Sequence, residues 1–180
     1  MRLKIKKTGS FKSSKKYLDL IANSKVYDVA TNTPISYAAN ISTKLGNDVF
    51  LKREDMQPIF SFKIRGAYNK IANLSAQQKK RGVLTASAGN HAQGVALACK
   101  ILNINCNIVM PLTAPENKLN SVKRLGAKIT LYGENLAEAL VKADEICKKH
   151  KYTFLHTYDD HFSSYGRGNM CVGNGGEGLG

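Results

Sequence analysis

From residue 49 onward, short apolar runs alternate with longer segments of helical spacing, and this alternation narrows the choice of fold more than any other feature. Residues 49–51, 83–85, 106–110, 128–131 and 153–155 read as strands. Between them, residues 64–73, 92–102, 115–125 and 135–150 read as helices, and a short helix is expected at 16–22. Ala67, Ile71 and Leu74 recur three or four residues apart, the spacing of one helical face. Ser75 and Gln78 fit a capping box for a further short helix that Gly82 ends. Pro115 suits a first helical turn and Gly126 a C-terminal stop. Asn135 suits an N-cap, and Leu136, Leu140, Ala143 and Cys147 are expected on one stripe behind it. Strands alternating with helices indicate β-α-β units, so the expected class is α/β: a parallel sheet with flanking helices and right-handed crossovers. Ligands of such sheets gather outside the carboxyl ends of the strands, which directs attention to the segments after residues 49–51 and 83–85.

Composition excludes several function classes. The 180 residues are 43% apolar and hold no run near the roughly 20 residues that span a bilayer, so no membrane partner is expected. Net charge is +14, but half of the excess falls in residues 1–25, where eight Lys and Arg face Asp19 alone. The remainder is spread and mostly lysine, with no interleaving of basic and aromatic residues, so it reads as a solvated surface rather than a nucleic-acid site. Residues 1–14 are basic and acid-free and lack the apolar core of a secretory signal. They read as a disordered basic arm, with an organelle transit peptide as the lesser alternative. Cys99, Cys106, Cys147 and Cys171 are too widely spaced for a zinc site or a small disulfide scaffold, so reduced thiols in the cytoplasm are expected. His91, His150, His156 and His161 lack ligand spacing, and no metal is expected; His156 and His161 with Asp159 and Asp160 read as a solvated turn. No G-x-S-x-G elbow of a serine hydrolase occurs.

Two segments are chemically unusual. Ser61-Phe-Lys-Ile-Arg-Gly-Ala67 sets a lysine between an aromatic residue and a helix start. Partial burial against Phe62 and the adjoining helix N-terminus would both disfavour its charged form and make Lys63 a nucleophile toward aldehydes. The alternative is a solvated lysine beside ordinary packing residues. Thr85-Ala-Ser-Ala-Gly-Asn-His-Ala-Gln-Gly94 lets backbone N–H groups approach a carboxylate or phosphate at a helix N-terminus, and Asn90 offers a donor and an acceptor. Its alternative is a tight strand-to-helix turn.

Together these segments resemble a known family. Residues 52–69 (KREDMQPIFSFKIRGAYN) and 86–96 (ASAGNHAQGVA) are similar to the biosynthetic threonine ammonia-lyases, or threonine dehydratases, pyridoxal-phosphate enzymes of the tryptophan-synthase β fold type. The resemblance runs from about Tyr17 to about Asp160 and includes Val26-Tyr-Asp-Val-Ala30 with Thr33-Pro34, Met110-Pro111 and Gly126-Ala127. It implies pyridoxal 5'-phosphate as cofactor and β-elimination of threonine to 2-oxobutanoate and ammonia, the first step of isoleucine biosynthesis. Lys63 then matches the lysine that holds the cofactor and acts as base at Cα. Phe62 matches the residue beside the cofactor ring, and Asn90 the partner of its ring oxygen. Ser87, Ala88, Gly89, Asn90 and His91 match the loop that receives the substrate carboxylate. L-Threonine, with L-serine as a second candidate, and a homo-oligomeric assembly are implied in the same way.

The end of the chain departs from the family pattern. Tyr165-Gly-Arg-Gly-Asn169 stands where a Gly-Gln-Gly-Thr-like turn and then a helix are expected, and no helix is read there. The organisation expected is therefore a basic arm at 1–14, the N-terminal part of a catalytic domain at 15–160 and a glycine-rich divergent tail at 161–180. The fold would stop before its second lobe is complete. Catalysis would then be weak or absent unless another chain supplies the missing contacts. A serine dehydratase or racemase of the same fold type, or a non-catalytic fragment that pairs with another chain, are the alternatives.

Overall fold

A computed structural model describes residues 11–156 and 161–172. Helix α1 (Phe11–Ala22) begins inside the segment read as a disordered arm, and a 3-10 turn at Lys25–Asp28 follows it. Strands β1 (Ile35–Tyr37) and β2 (Phe50–Lys52) flank α2 (Ala39–Leu45) and pair antiparallel, Ser36 opposite Leu51. The expectation that residues 49–51 belong to the parallel sheet is thus corrected. Ile35, Tyr37, Phe50 and Leu51 are exposed, whereas strands of a covered parallel sheet are buried on both faces.

The main sheet has the order β5-β4-β3-β6 and is parallel throughout: β3 (Val83–Ala86), β4 (Cys106–Met110), β5 (Lys128–Leu131) and β6 (Thr153–Phe154). These lie close to the expected strands, because each is an apolar run stopped by turn chemistry. Helices α3 (Lys63–Ala72) and α4 (Ala76–Arg81) precede β3, and α5 (Asn90–Ile101), α6 (Glu116–Arg124) and α7 (Leu136–His150) connect the four strands in turn. The Ser75–Gln78 capping box forms, and the Asn135 side chain accepts from the Glu138 amide to cap α7. Gly82 and Gly126 take φ values of +81° and +85°, the left-handed region where glycine is the low-cost residue.

Side chains sort by strand parity. Ile108 and Met110 meet Ala92 and Ala96 of α5 and Val122 of α6 on one face; Leu84, Ala86 and Val109 meet Ala139 and Ala143 of α7 on the other. Ala67, Ile71 and Leu74 add α3 to the α5 side. In α7 the core stripe is Ala139, Ala143 and Ile146; Leu136 and Leu140 are 42% and 41% exposed, so the expected stripe is rotated. Small alanines bring the helix close to the sheet, and the longer leucines fall outside that contact.

The largest correction lies at the end of the chain. Residues His161–Val172 form α8, where no helix was expected. A Cβ on Gly166 would lie 2.5 Å from the Arg65 carbonyl oxygen, and one on Gly66 would lie 2.7 Å from that of Ser163. A Cβ on Gly168 would lie 2.8 Å from Ile21 Cδ1. The glycines that read as a turn are therefore the places where α3 and α1 lie against α8. Packing overrides their low helix propensity of about 1 kcal/mol each.

Candidate functional site

Strand β3 lies between β4 and β6. The chain leaves β3 for β4 through α5 on one face, and reaches β6 from β5 through α7 on the other. The sheet's topological switch point therefore falls between β3 and β6, and the crevice outside their carboxyl ends is the ligand position for this architecture. The Thr85 hydroxyl donates to the Leu155 carbonyl at 2.8 Å and ties the two strands at that end. Loop residues Ser87, Ala88 and Gly89 leave β3 here and feed the first turn of α5.

The loop is built to keep backbone N–H groups available. No side chain caps α5, so its first amides are left for a ligand or water. Ser87 is buried, and its Oγ accepts from the Gly89 amide at 3.3 Å. A Cβ on Gly89 would meet nothing within 4 Å, so the space beside the loop is open. Asn90 is held from the side: its Oδ1 accepts from Lys118 Nζ at 2.8 Å and from Gln93 Nε2 at 3.4 Å.

Lys63 is brought to this place by α3 rather than by a strand of the main sheet. It is the first residue of α3, and a Cβ on Gly94 of α5 would lie 3.2 Å from its carbonyl oxygen. The two helices thus touch where both begin to matter chemically. Lys63 and His91 line one cleft with Gly66, Ala67, Ser163 and Arg167. Phe62 is 36% exposed, and the Lys63 ammonium lies 5.3 Å from its ring centroid. Burial, and then the charge of Arg167, hold the Lys63 amine below the usual lysine range. Ser87, Ala88, Gly89 and Asn90 form the adjoining loop and first turn, with the Asn90 side chain turned toward α6.

His91 is buried, and its Nε2 has no hydrogen-bond partner among the described residues. Burial first, then the charges of Lys63 and Arg167, lower it from an ordinary 6.5 to about 4, so it is neutral at pH 7. A base whose value is depressed on folding stabilises above its unfolded value and loses that contribution as pH falls through the folded one. Stability is expected to fall between pH 6.5 and about 4, by about 3 kcal/mol at about 1.4 kcal/mol per unit. Urea titrations across that range check this, and His91→Gln is expected to flatten the drop.

A buried frame fixes the α3 end of the site. Glu54 accepts from Arg65 Nε and Nη2, both at 2.8 Å, from Thr33 Oγ1 at 2.6 Å and from Gln57 Nε2 at 3.2 Å. Arg65 is fully buried, two residues beyond Lys63. Sequence reasoning did not assign Glu54, Lys118, Ser163 or Arg167. Glu54 is hidden in the charged run Lys52-Arg-Glu-Asp55, and Arg65 reads equally as an ordinary packing residue. Arg167 carried no local signal, because its position depends on α8. No group of three metal-ligating side chains occurs among the described residues, and no helix there is long and apolar enough to cross a membrane. Asp159 and Asp160 lie outside the described residues, as does the side chain of His161.

The wall of this cleft suits a carbonyl group captured by an amine in its chemistry, with the Lys63 cation disfavoured and the orphaned Nε2 of His91 beside it, while its volume of about 10 Å³ is that of a water rather than of a cofactor ring. Comparison with known proteins agrees. Residues 26–172 match the family described as pyridoxal-phosphate dependent enzyme. The L-threonine dehydratase biosynthetic IlvA of Pasteurella multocida is 48% identical over 156 residues, 87% of this chain and 30% of that one. The processed form of threonine deaminase isoform 2 from Solanum lycopersicum superposes with a TM-score of 0.89 at 42% identity, over 95% of this chain and 50% of that one. Maize serine racemase is more distant, with a TM-score of 0.81 at 30% identity over 86% of this chain and 47% of that one. The chain thus spans about 30% of the curated relative's length and half of the solved one's.

Proposed function

The chain belongs to the pyridoxal-phosphate dependent enzymes, and from that premise we propose that it is the N-terminal part of a threonine dehydratase. The reaction proposed is β-elimination of L-threonine to 2-oxobutanoate and ammonia, which supplies carbon for isoleucine. The observation that carries the reading is the joint position of Lys63 and His91, the last residue of the 87–91 loop, in one cleft of a chain 48% identical to a biosynthetic threonine dehydratase. The lower identity of the serine racemase structure, 30%, favours the lyase over the racemase.

Pyridoxal phosphate, when bound, supplies an electron sink conjugated to the substrate's Cα. Lys63 would hold it through the side-chain amine, and the same amine would serve as the general base at the substrate's Cα. Its depressed ionisation keeps a larger share of the amine unprotonated at neutral pH. The free amides at the start of α5 receive the substrate carboxylate, with the helix dipole favouring the anion. Phe62 covers one side of the lysine and limits water. Asn90, its Oδ1 held by Lys118, would have its amide N–H left to offer a ring oxygen of the cofactor. Neutral His91 adds a polar atom to the wall without adding a competing cation. Self-association and a cytoplasmic setting belong to the same proposal. Exposed Ile35, Tyr37, Phe50 and Leu51 support the first, and the widely spaced cysteines support the second.

The test is to mix the purified chain with pyridoxal phosphate, reduce with borohydride and map the labelled peptide. Label concentrated on Lys63, together with threonine-dependent formation of a 2-oxo acid, is the expected result. Label spread evenly over surface lysines would overturn the reading. Label on Lys63 without turnover would leave cofactor capture and point to contacts supplied by another chain.

A further inference from the structure

A second cleft opens at the opposite, amino end of the main sheet, with a volume of about 420 Å³. Its wall contains Cys99, near the end of α5, and Cys106, the first residue of β4. The Ile104 amide donates to the Cys99 carbonyl at 2.9 Å and folds the connection back, so that the strand starts beside the helix it has just left. Cys106 packs against the cluster that contains Cys99. Cys99 is 1% exposed, whereas Cys106 is half-buried and reaches the cleft. Lys100 and Lys128 stand at the cleft, with Asn103 and Asn105, and no acidic residue lines it. Two neighbouring thiols, one accessible and one covered, in a cationic depression form a recognisable chemical arrangement. The reading of residues 63 and 87–91 makes no use of it.

We propose that Cys106 and Cys99 are a thiol–disulfide exchange site for a small anionic disulfide, Cys106 entering first and Cys99 resolving. The Cys106 thiolate attacks one sulfur of the incoming disulfide, forming a mixed disulfide and releasing one thiolate. Cys99 then gives up its proton, and its sulfur attacks Cys106 Sγ. The Cys99–Cys106 bond forms and the second small thiolate leaves. The two protein thiols lose two electrons, the small disulfide gains them, and the two protons end on the released thiols. The bond would clamp the end of α5 to the start of β4. The hydrogen bond to Cys106, with burial, holds the Cys99 thiol well above the usual range, so Cys99 is not the thiol that enters first.

Oxidised glutathione is the probe, added to the intact chain in mildly alkaline buffer and followed by intact mass and peptide mapping without reduction. The wild type is expected to end as the internal Cys99–Cys106 disulfide without retained glutathione. In Cys99→Ala the adduct is expected to stop at one glutathionyl group on Cys106. In Cys106→Ser modification at Cys99 is expected to be lost altogether. Circular dichroism of both variants verifies that the fold persists, and N-ethylmaleimide labelling of the wild type gives a readout independent of them, with Cys106 labelled before Cys99. A wild type that keeps a stable adduct on Cys106, that links either residue to Cys147, or that labels Cys99 first would overturn the proposal.

Discussion

Replacing Glu54 by alanine is expected to destabilise the chain by about 3–5 kcal/mol, the cost of leaving a buried partner charge uncompensated. Arg65 is fully buried and donates both of its short hydrogen bonds to the Glu54 carboxylate. What would remain for its guanidinium is the Thr31 carbonyl at 3.3 Å, Asn169 Oδ1 at 3.4 Å and the Tyr27 ring at 5.5 Å. Against a typical total of about 5–15 kcal/mol, that loss is a large share of the whole. Urea unfolding checks it as a fall in midpoint with unchanged slope. The double replacement Glu54→Leu with Arg65→Met separates the causes. An apolar pair removes both charges, so stability should recover most of the way; a double variant as weak as the single one would show that the ion pair is not the source. The pH dependence has a defined sign. Burial pushes the Glu54 carboxyl up, but hydrogen bonds from Arg65, Thr33 and Gln57 and the charge of Arg65 outweigh it and leave it below its ordinary 4.5. Its contribution is therefore present above pH 4.5 and lost as pH falls through the lower folded value. That acid limb should be missing from Glu54→Ala.

This frame was the part of the site least legible in the sequence. The main sheet was legible because its strands are short segments rich in apolar residues, and three of them adjoin a residue of fixed meaning: Gly82 before β3, Pro111 after β4 and Gly126 before β5. Lys63 and residues 87–91 stood out for the same local reason, since small or reactive residues at a helix start are unusual. β1 and α2 were missed because three-residue strands and a seven-residue helix with exposed apolar side chains carry too little periodicity. Helix α8 was missed because glycine has two meanings. Within Tyr165-Gly-Arg-Gly-Asn169 it reads locally as a turn; in the fold it is the only side chain small enough for the backbone of α3. The second meaning exists only when residues 65 and 166 are brought together, and local pattern cannot express it. Arg167 and Ser163 were lost with that helix; both line the cleft, and the charge of Arg167 adds to the burial that lowers Lys63 and His91.

Gly166→Ala is therefore expected to act on the site as well as on stability. In an exposed helix the change would gain up to about 1 kcal/mol. Here the new Cβ would stand 2.5 Å from the Arg65 carbonyl oxygen and 2.9 Å from Asn69 Cβ. The nearer of these is backbone in the first turn of α3, so it cannot swing aside as the end of a long side chain could. Overpacking of this kind costs about 1–3 kcal/mol, which outweighs the propensity gain, and the expected net effect is destabilising. Relief requires α8 to move off α3, and that movement carries Ser163 and Arg167 away from Lys63. With Arg167 withdrawn and the cleft opened to water, both causes that depress the lysine weaken together. The pH profile of Lys63 labelling by an amine-selective reagent should accordingly move toward that of an exposed lysine, while the profiles of Lys44 and Lys149 stay fixed. A variant that is destabilised yet keeps the wild-type Lys63 profile would show that α8 braces the fold without tuning the amine. A variant as stable as the wild type would show that α3 and α8 have room that their glycines do not use.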